Sequence, residues 1–230
     1  DNMFITEHSF ELPLDYENPD QQSISVFVRE IRLDEKVKKP YLVYLQGGPG
    51  FESPRPISFS GWIKKALNRY NILLLDQRGT GNSTPANFQT IGGWNPEKQA
   101  NYLKYFRADN IVKDAEAIRK NLIQDEPWSI LGQSFGGFCA VNYLSFYSSG
   151  LKEVFITGGI PPLSAHPDDI YKRTYSRVKR KNEAFFKAFP QAQERAGKIA
   201  NIIRDTKPTL LSGETLTIER FQLLGLQLGF

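Results

Sequence analysis

Two different periods of hydrophobicity divide this chain. Residues His8 to Leu14 and Ser23 to Arg32 alternate apolar and polar positions with a period of two, the pattern of β-strands. Asn18, Pro19 and Asp20 lie between them, so the pair predicts an antiparallel hairpin. Tyr41 to Leu45 and Ile72 to Leu75 are unbroken apolar runs bounded by turn residues, which suits parallel strands covered on both faces. Gly61 to Asn68 predicts a short helix between them. Ile111, Ala115, Ile118 and Leu122 recur at helical spacing and predict a helix over 108–122, with Asp109 as its N-cap. A strand from Trp128 to Leu131, a helix from Phe135 to Phe146 and a strand from Val154 to Thr157 follow. This alternation predicts an α/β fold, a mostly parallel sheet with helices on both faces.

After Pro162 the period changes to that of helices. Residues 168–189, 191–204 and 217–228 predict three amphipathic helices, and no strand-like run follows Thr157. A boundary near residue 160 therefore separates a sheet domain, residues 1–160, from a helical cap or insertion, residues 161–230, which is read as partial. Two physical points suggest that more chain completes the fold. A sheet ending at Val154 to Thr157 leaves an apolar edge strand, and Phe185, Phe186, Phe189, Ile202 and Phe221 need partners in the helical part.

Composition adds exclusions. With 40% hydrophobic and 23% charged residues among 230, the chain is that of a globular protein. A net charge of +4 is too slight to call for a nucleic-acid partner. Lys172, Arg173, Arg177, Lys179, Arg180 and Lys181 crowd one stretch, read as a solvated helix face in preference to an interaction patch. A single cysteine, Cys139, excludes an intramolecular disulfide, and its apolar neighbours predict burial. Two isolated histidines beside that cysteine give no metal-ligand spacing, and no phosphate or dinucleotide fingerprint is present, so no metal and no cofactor are expected. No apolar run approaches the roughly 20 residues of a membrane span, and residues 1–8 lack a signal-peptide pattern. The expectation is a cytoplasmic protein with no membrane partner.

The chemistry lies at the predicted strand ends, where open α/β sheets place their sites. Gly132-Gln133-Ser134-Phe135-Gly136-Gly137 follows a strand and opens a helix. That is the setting of a Gly-x-Ser-x-Gly elbow, which lifts a serine oxygen clear of the backbone as a nucleophile. Gln46-Gly47-Gly48-Pro49-Gly50 follows another strand, and its glycines let backbone N–H groups approach an oxyanion closely. The N–H of Phe135, at the helix start, is the second candidate donor. In Asp76-Gln77-Arg78-Gly79-Thr80-Gly81-Asn82-Ser83, Asp76 and Arg78 are read as an ion pair that organises the loops around the site, and not as catalytic groups.

These motifs, with Thr157-Gly158-Gly159-Ile160-Pro161-Pro162 and in this order, resemble the proline iminopeptidases of the α/β-hydrolase superfamily, in their longer form. The resemblance covers residues from about 10 to 165 well and the helical tail loosely. It implies a serine peptidase that removes N-terminal proline from peptides, with Ser134 as nucleophile and an oxyanion hole from Phe135 and the Gly47-Gly48 segment. Gln46 departs from the histidine many relatives carry before the two glycines, at a position that shapes the loop. Cap glutamates hold the substrate's amine in relatives, which makes Glu214 and Glu219 the candidates here. The triad of this fold runs serine, acid, histidine. Only His8 and His166 exist, the first in the opening hairpin and the second at the entrance to the cap, and neither is the expected base. The resemblance therefore implies that the remainder of the enzyme, in a longer chain or a second fragment, supplies acid and histidine. Two alternatives stay open: an esterase or amidase of the same fold acting on small substrates, and a catalytically silent binding protein that lost its base.

Overall fold

The computed structural model describes residues 3–57 and 61–225. The chain forms two compact units, Asp1–Pro161 and Pro162–Phe230.

In the first unit, β1 (Phe4–Pro13), β2 (Ser23–Arg32), β3 (Tyr41–Leu45), β4 (Asn71–Leu75), β5 (Trp128–Gln133) and β6 (Leu151–Thr157) form one sheet in the order β1-β2-β4-β3-β5-β6. β1 pairs antiparallel with β2, and β2 antiparallel with β4; the other pairings are parallel. Alternation along the strands builds a core on each face. Val43, Leu45, Leu73, Leu75 and Ile130 join Ile111, Ala115 and Ile118 of α4 (Ala108–Ile123), and Cys139, Ala140 and Tyr143 of α5 (Phe135–Phe146). Tyr44, Ile72 and Leu74 face the other way, onto Ile31 and Leu67, with Ile63 of α1 (Gly61–Ala66) against them. Both faces of β3 and β4 are thus covered, which accounts for their unbroken apolar runs. Burial pushes the Cys139 thiol up to about 12.

A polar chain crosses the larger core. Trp128 Nε1 donates to Tyr143 Oη at 3.0 Å, and that hydroxyl donates to Glu116 at 2.5 Å. Arg119 holds the same carboxylate through two bonds of 2.9 Å. The polar groups of this chain are thereby paired with one another, and β5, α5 and α4 are tied together. At the sheet's edge, β6 pairs with β5 alone among the described residues, and Phe155 is 40% exposed.

Two short helices between β4 and α4 lie outside the sequence expectations. They are α2 (Phe88–Ile91), closed by an Asn87–Thr90 capping box, and α3 (Pro96–Leu103), capped by Asn95 with proline in its first turn. The N-cap of α4 is also corrected. Arg107 occupies it without a side-chain bond, while Asp109 stands in the first turn, favourable for the helix dipole.

The second unit contains α6 (Pro167–Ala188), α7 (Pro190–Thr206) and α8 (Ile218–Leu223). Prolines at the starts of α6 and α7 suit positions whose N–H has no helical acceptor. The third predicted helix is shorter than expected, and residues 226–228 of that expectation lie outside the described residues. The six basic residues of 172–181 are exposed on α6. Phe185, Phe189, Ile199, Phe221 and Leu224 line a groove of about 1280 Å³ within this unit.

Candidate active site

The end of β5 turns sharply into α5, and Ser134 is the hinge, with φ 54° and ψ −117°. A non-glycine residue held there stores about 1–3 kcal/mol of strain and persists only where its surroundings enforce it. Two bonds do so: Ser134 N donates to the Thr157 carbonyl at 2.9 Å, and Gly137 N donates to the Ser134 carbonyl at 2.8 Å. Gly136 is required by close approach, since a Cβ there would run into the Leu45 carbonyl at the end of β3. The helix therefore starts directly against the neighbouring strand, with the serine at the top of the sheet. Phe135 is the first residue of α5, where N–H groups have no intrahelical acceptor and the dipole favours negative charge.

The loop after β3 comes to the same point. A Cβ on Gly47 would lie 2.8 Å from Ser134 Cβ and 2.9 Å from the Gln133 carbonyl. Ser134, Phe135 and Gly47 are thus brought together from β5, α5 and the β3 loop, with Gly48 next along that loop. This puts a hydroxyl beside two backbone stretches able to present N–H groups to an oxyanion.

The loop after β4 is held by a different pairing from the one expected. Asp76 does not pair with Arg78. Its Oδ1 accepts from Ser53 N at 3.0 Å and its Oδ2 from Asn82 N at 2.9 Å, fastening the β3 and β4 loops to each other. Burial raises this carboxyl above the usual range, while those two N–H groups pull it down. Arg78 reaches instead to Asp114 of α4, with Nε and Nη2 at 2.7 and 2.6 Å from the two carboxylate oxygens. Asp114 lies 36 residues further along the chain, so only the fold reveals the pair.

Neither histidine serves the serine within its own unit. His8 stands on β1 and bonds Glu30 at 3.0 Å. β1 is four strand spacings from β5, roughly 19 Å. His166 belongs to the second unit and caps α6. Glu214 and Glu219 also lie in that unit. Glu214 sits in a turn closed by Leu210 N donating to its carbonyl, and its carboxylate accepts from Arg220 at 2.6 Å, which lowers its pKa. Glu219 is in the first turn of α8, where its own N–H and the Thr217 side chain lower its pKa.

The sequence model of the α/β hydrolase fold matches residues 40–199. This chain belongs to the α/β hydrolase fold family. Within that family, it is 48% identical to the proline iminopeptidase of Aeromonas sobria over its whole length, covering 55% of that protein. It is 41% identical to the proline iminopeptidase aneH of Aspergillus aculeatus, with 97% of this chain and 52% of that one aligned. A more distant likeness, 30% over 60% of this chain and 40% of the relative, is to the proline iminopeptidase of Thermoplasma volcanium. The chain spans about half the length of the first two of these relatives. In this α/β hydrolase, no described helix is long and apolar enough to cross a membrane. Among the described residues, no group of three or more His, Cys, Asp or Glu is placed to hold a metal ion.

Proposed function

We propose that this chain carries the nucleophile half of a serine aminopeptidase that releases proline from peptide N-termini. The observation that carries the reading is the strained backbone of Ser134, fixed between the start of α5 and Gly47. The likeness to proline iminopeptidases supports the choice of substrate. Ser134 Oγ attacks the carbonyl carbon of the N-terminal proline itself, and a histidine takes the hydroxyl proton. The oxyanion rests on the N–H groups of Phe135 and the Gly47-Gly48 segment. The C–N bond then breaks, the leaving amine takes up the proton, and water hydrolyses the prolyl ester. In this proposal, chain beyond these residues supplies the acid and the histidine. The fold's order of serine, acid and histidine supports that, as does the position of His8 four strands away. The proposal divides the chain near residue 160 into a hydrolase core and part of a helical cap. It places the enzyme in the cytoplasm, which subcellular fractionation checks.

The substrate's free amine calls for a carboxylate, and Glu214 and Glu219 are the proposed anchors. Replacing the anchor by glutamine raises KM for proline substrates about tenfold or more and leaves butyrate ester hydrolysis unaffected. If neither Glu214→Gln nor Glu219→Gln changes KM, the anchor is elsewhere.

The test uses the full-length gene product with proline p-nitroanilide, alanine p-nitroanilide and p-nitrophenyl butyrate. The proline amide is preferred over the alanine amide by about a hundredfold, and Ser134→Ala lowers kcat by about 10⁴-fold or more. Turnover of the ester alone would contradict the peptidase reading, and an active Ser134→Ala would contradict the site.

A further inference from the structure

Tyr44 is the penultimate residue of β3, 7% exposed, with its ring 5.0 Å from that of Trp62 in α1. Its hydroxyl lies 2.6 Å from Gln46 Oε1 and 3.2 Å from Gln133 Oε1. These are not arbitrary partners. Gln46 immediately precedes Gly47, and Gln133 immediately precedes Ser134. β3 and β5 pair in parallel with Leu45 opposite Gly132, so the two glutamines stand at corresponding positions just past the register. A third strand end joins them, since Gln77 Nε2 donates to the Gln46 carbonyl at 2.9 Å.

Resting on the serine-hydrolase reading above, we propose that Tyr44 is a positioning residue whose hydroxyl links Gln46 to Gln133 and so sets the distance between the Gly47 loop and Ser134. A phenol has one proton, and two amide oxygens face it. The nearer, Gln46, receives it. A half-turn of the Gln133 amide brings its NH₂ to the phenol oxygen, and the chain then runs Gln133 Nε2–H to Tyr44 O–H to Gln46 Oε1. Burial raises the pKa of Tyr44, so the phenol keeps its proton and remains a donor at neutral pH. Oxyanion donors act only within a few tenths of an ångström of their proper place. A link between the residues preceding the donor loop and the nucleophile controls that placement without touching substrate.

Tyr44→Phe tests this because it keeps the ring on Trp62 and removes only the hydroxyl. In the full-length enzyme, kcat for proline p-nitroanilide and the maximal rate of Ser134 labelling by a fluorophosphonate each fall about tenfold, with KM changed less than about twofold. The thermal midpoint moves by less than about 3 °C. Gln46→Leu gives a similar loss, and the double variant is no worse than either single one, since both break one link. Unimpaired turnover and labelling in Tyr44→Phe, or fully additive losses in the double variant, overturn the proposal. A wild-type enzyme that is not labelled at Ser134 overturns the serine reading itself, and this inference with it.

Discussion

Arg78 uses all five of its guanidinium N–H donors, two on Asp114 and one each on the carbonyls of Pro13, Leu14 and Tyr105. Both side chains of the ion pair are out of solvent, at 0% and 1% exposure. Tyr16 adds a hydrogen bond to Asp114 at 2.8 Å. Three distant segments are thereby joined behind the β4 loop. Removing one member of such a pair strands a buried charge, so Arg78→Met lowers stability by about 3–5 kcal/mol in urea unfolding. Arg78→Met with Asp114→Leu restores most of that loss. A single variant as stable as wild type would show that the pair is not an obligatory support. The same residue marks a limit of reading sequence alone. Asp76 and Arg78 are two positions apart and invite pairing, but residues that close on a strand end point to different neighbours, and the true partner is on another element. Tyr44 shows the same limit. Its hydroxyl can be matched to Gln46 and Gln133 only once the β3–β5 register is known.

At the scale of elements, the junction of β5, Ser134 and α5 has the tightest steric requirements. Gly136 lies against the Leu45 carbonyl, so Gly136→Ala must push α5 away from β3 or flatten the turn at Ser134. Overpacking of this kind costs about 1–3 kcal/mol. Because the displaced group sits beside Ser134, the proposed nucleophile, fluorophosphonate labelling is expected to fall much further than stability does. A Gly136→Ala protein labelled at the wild-type rate would contradict this account of the elbow. Elements with a long, unmixed pattern were the most legible. β2, β3 and α5 run between the residues their patterns predict, because length and flanking turn residues assign a five-residue apolar run to a strand and a twelve-residue one to a helix. α2 and α3 were not legible in that way, being only 4 and 8 residues long and held by local Asn caps instead of a buried stripe. Arg107 at the N-cap of α4, without a side-chain bond, is a case where tertiary packing sets a helix start against the usual capping preference.

For the molecule as a whole, the sheet unit brings the serine, a candidate oxyanion loop and a helix N-terminus to one point, while His8 is far along the sheet. The core of this arrangement was legible from glycine spacing at strand ends, because only glycine permits the backbone approaches seen at Gly47 and Gly136. The proposed function requires Ser134 to be an activated nucleophile in the full-length protein. Peptide mapping after exposure of the native protein to a fluorophosphonate tests it most directly. A single adduct on Ser134 is expected, abolished by Ser134→Ala and slowed by competing proline amide. No adduct, or an adduct on another serine that survives Ser134→Ala, would contradict it.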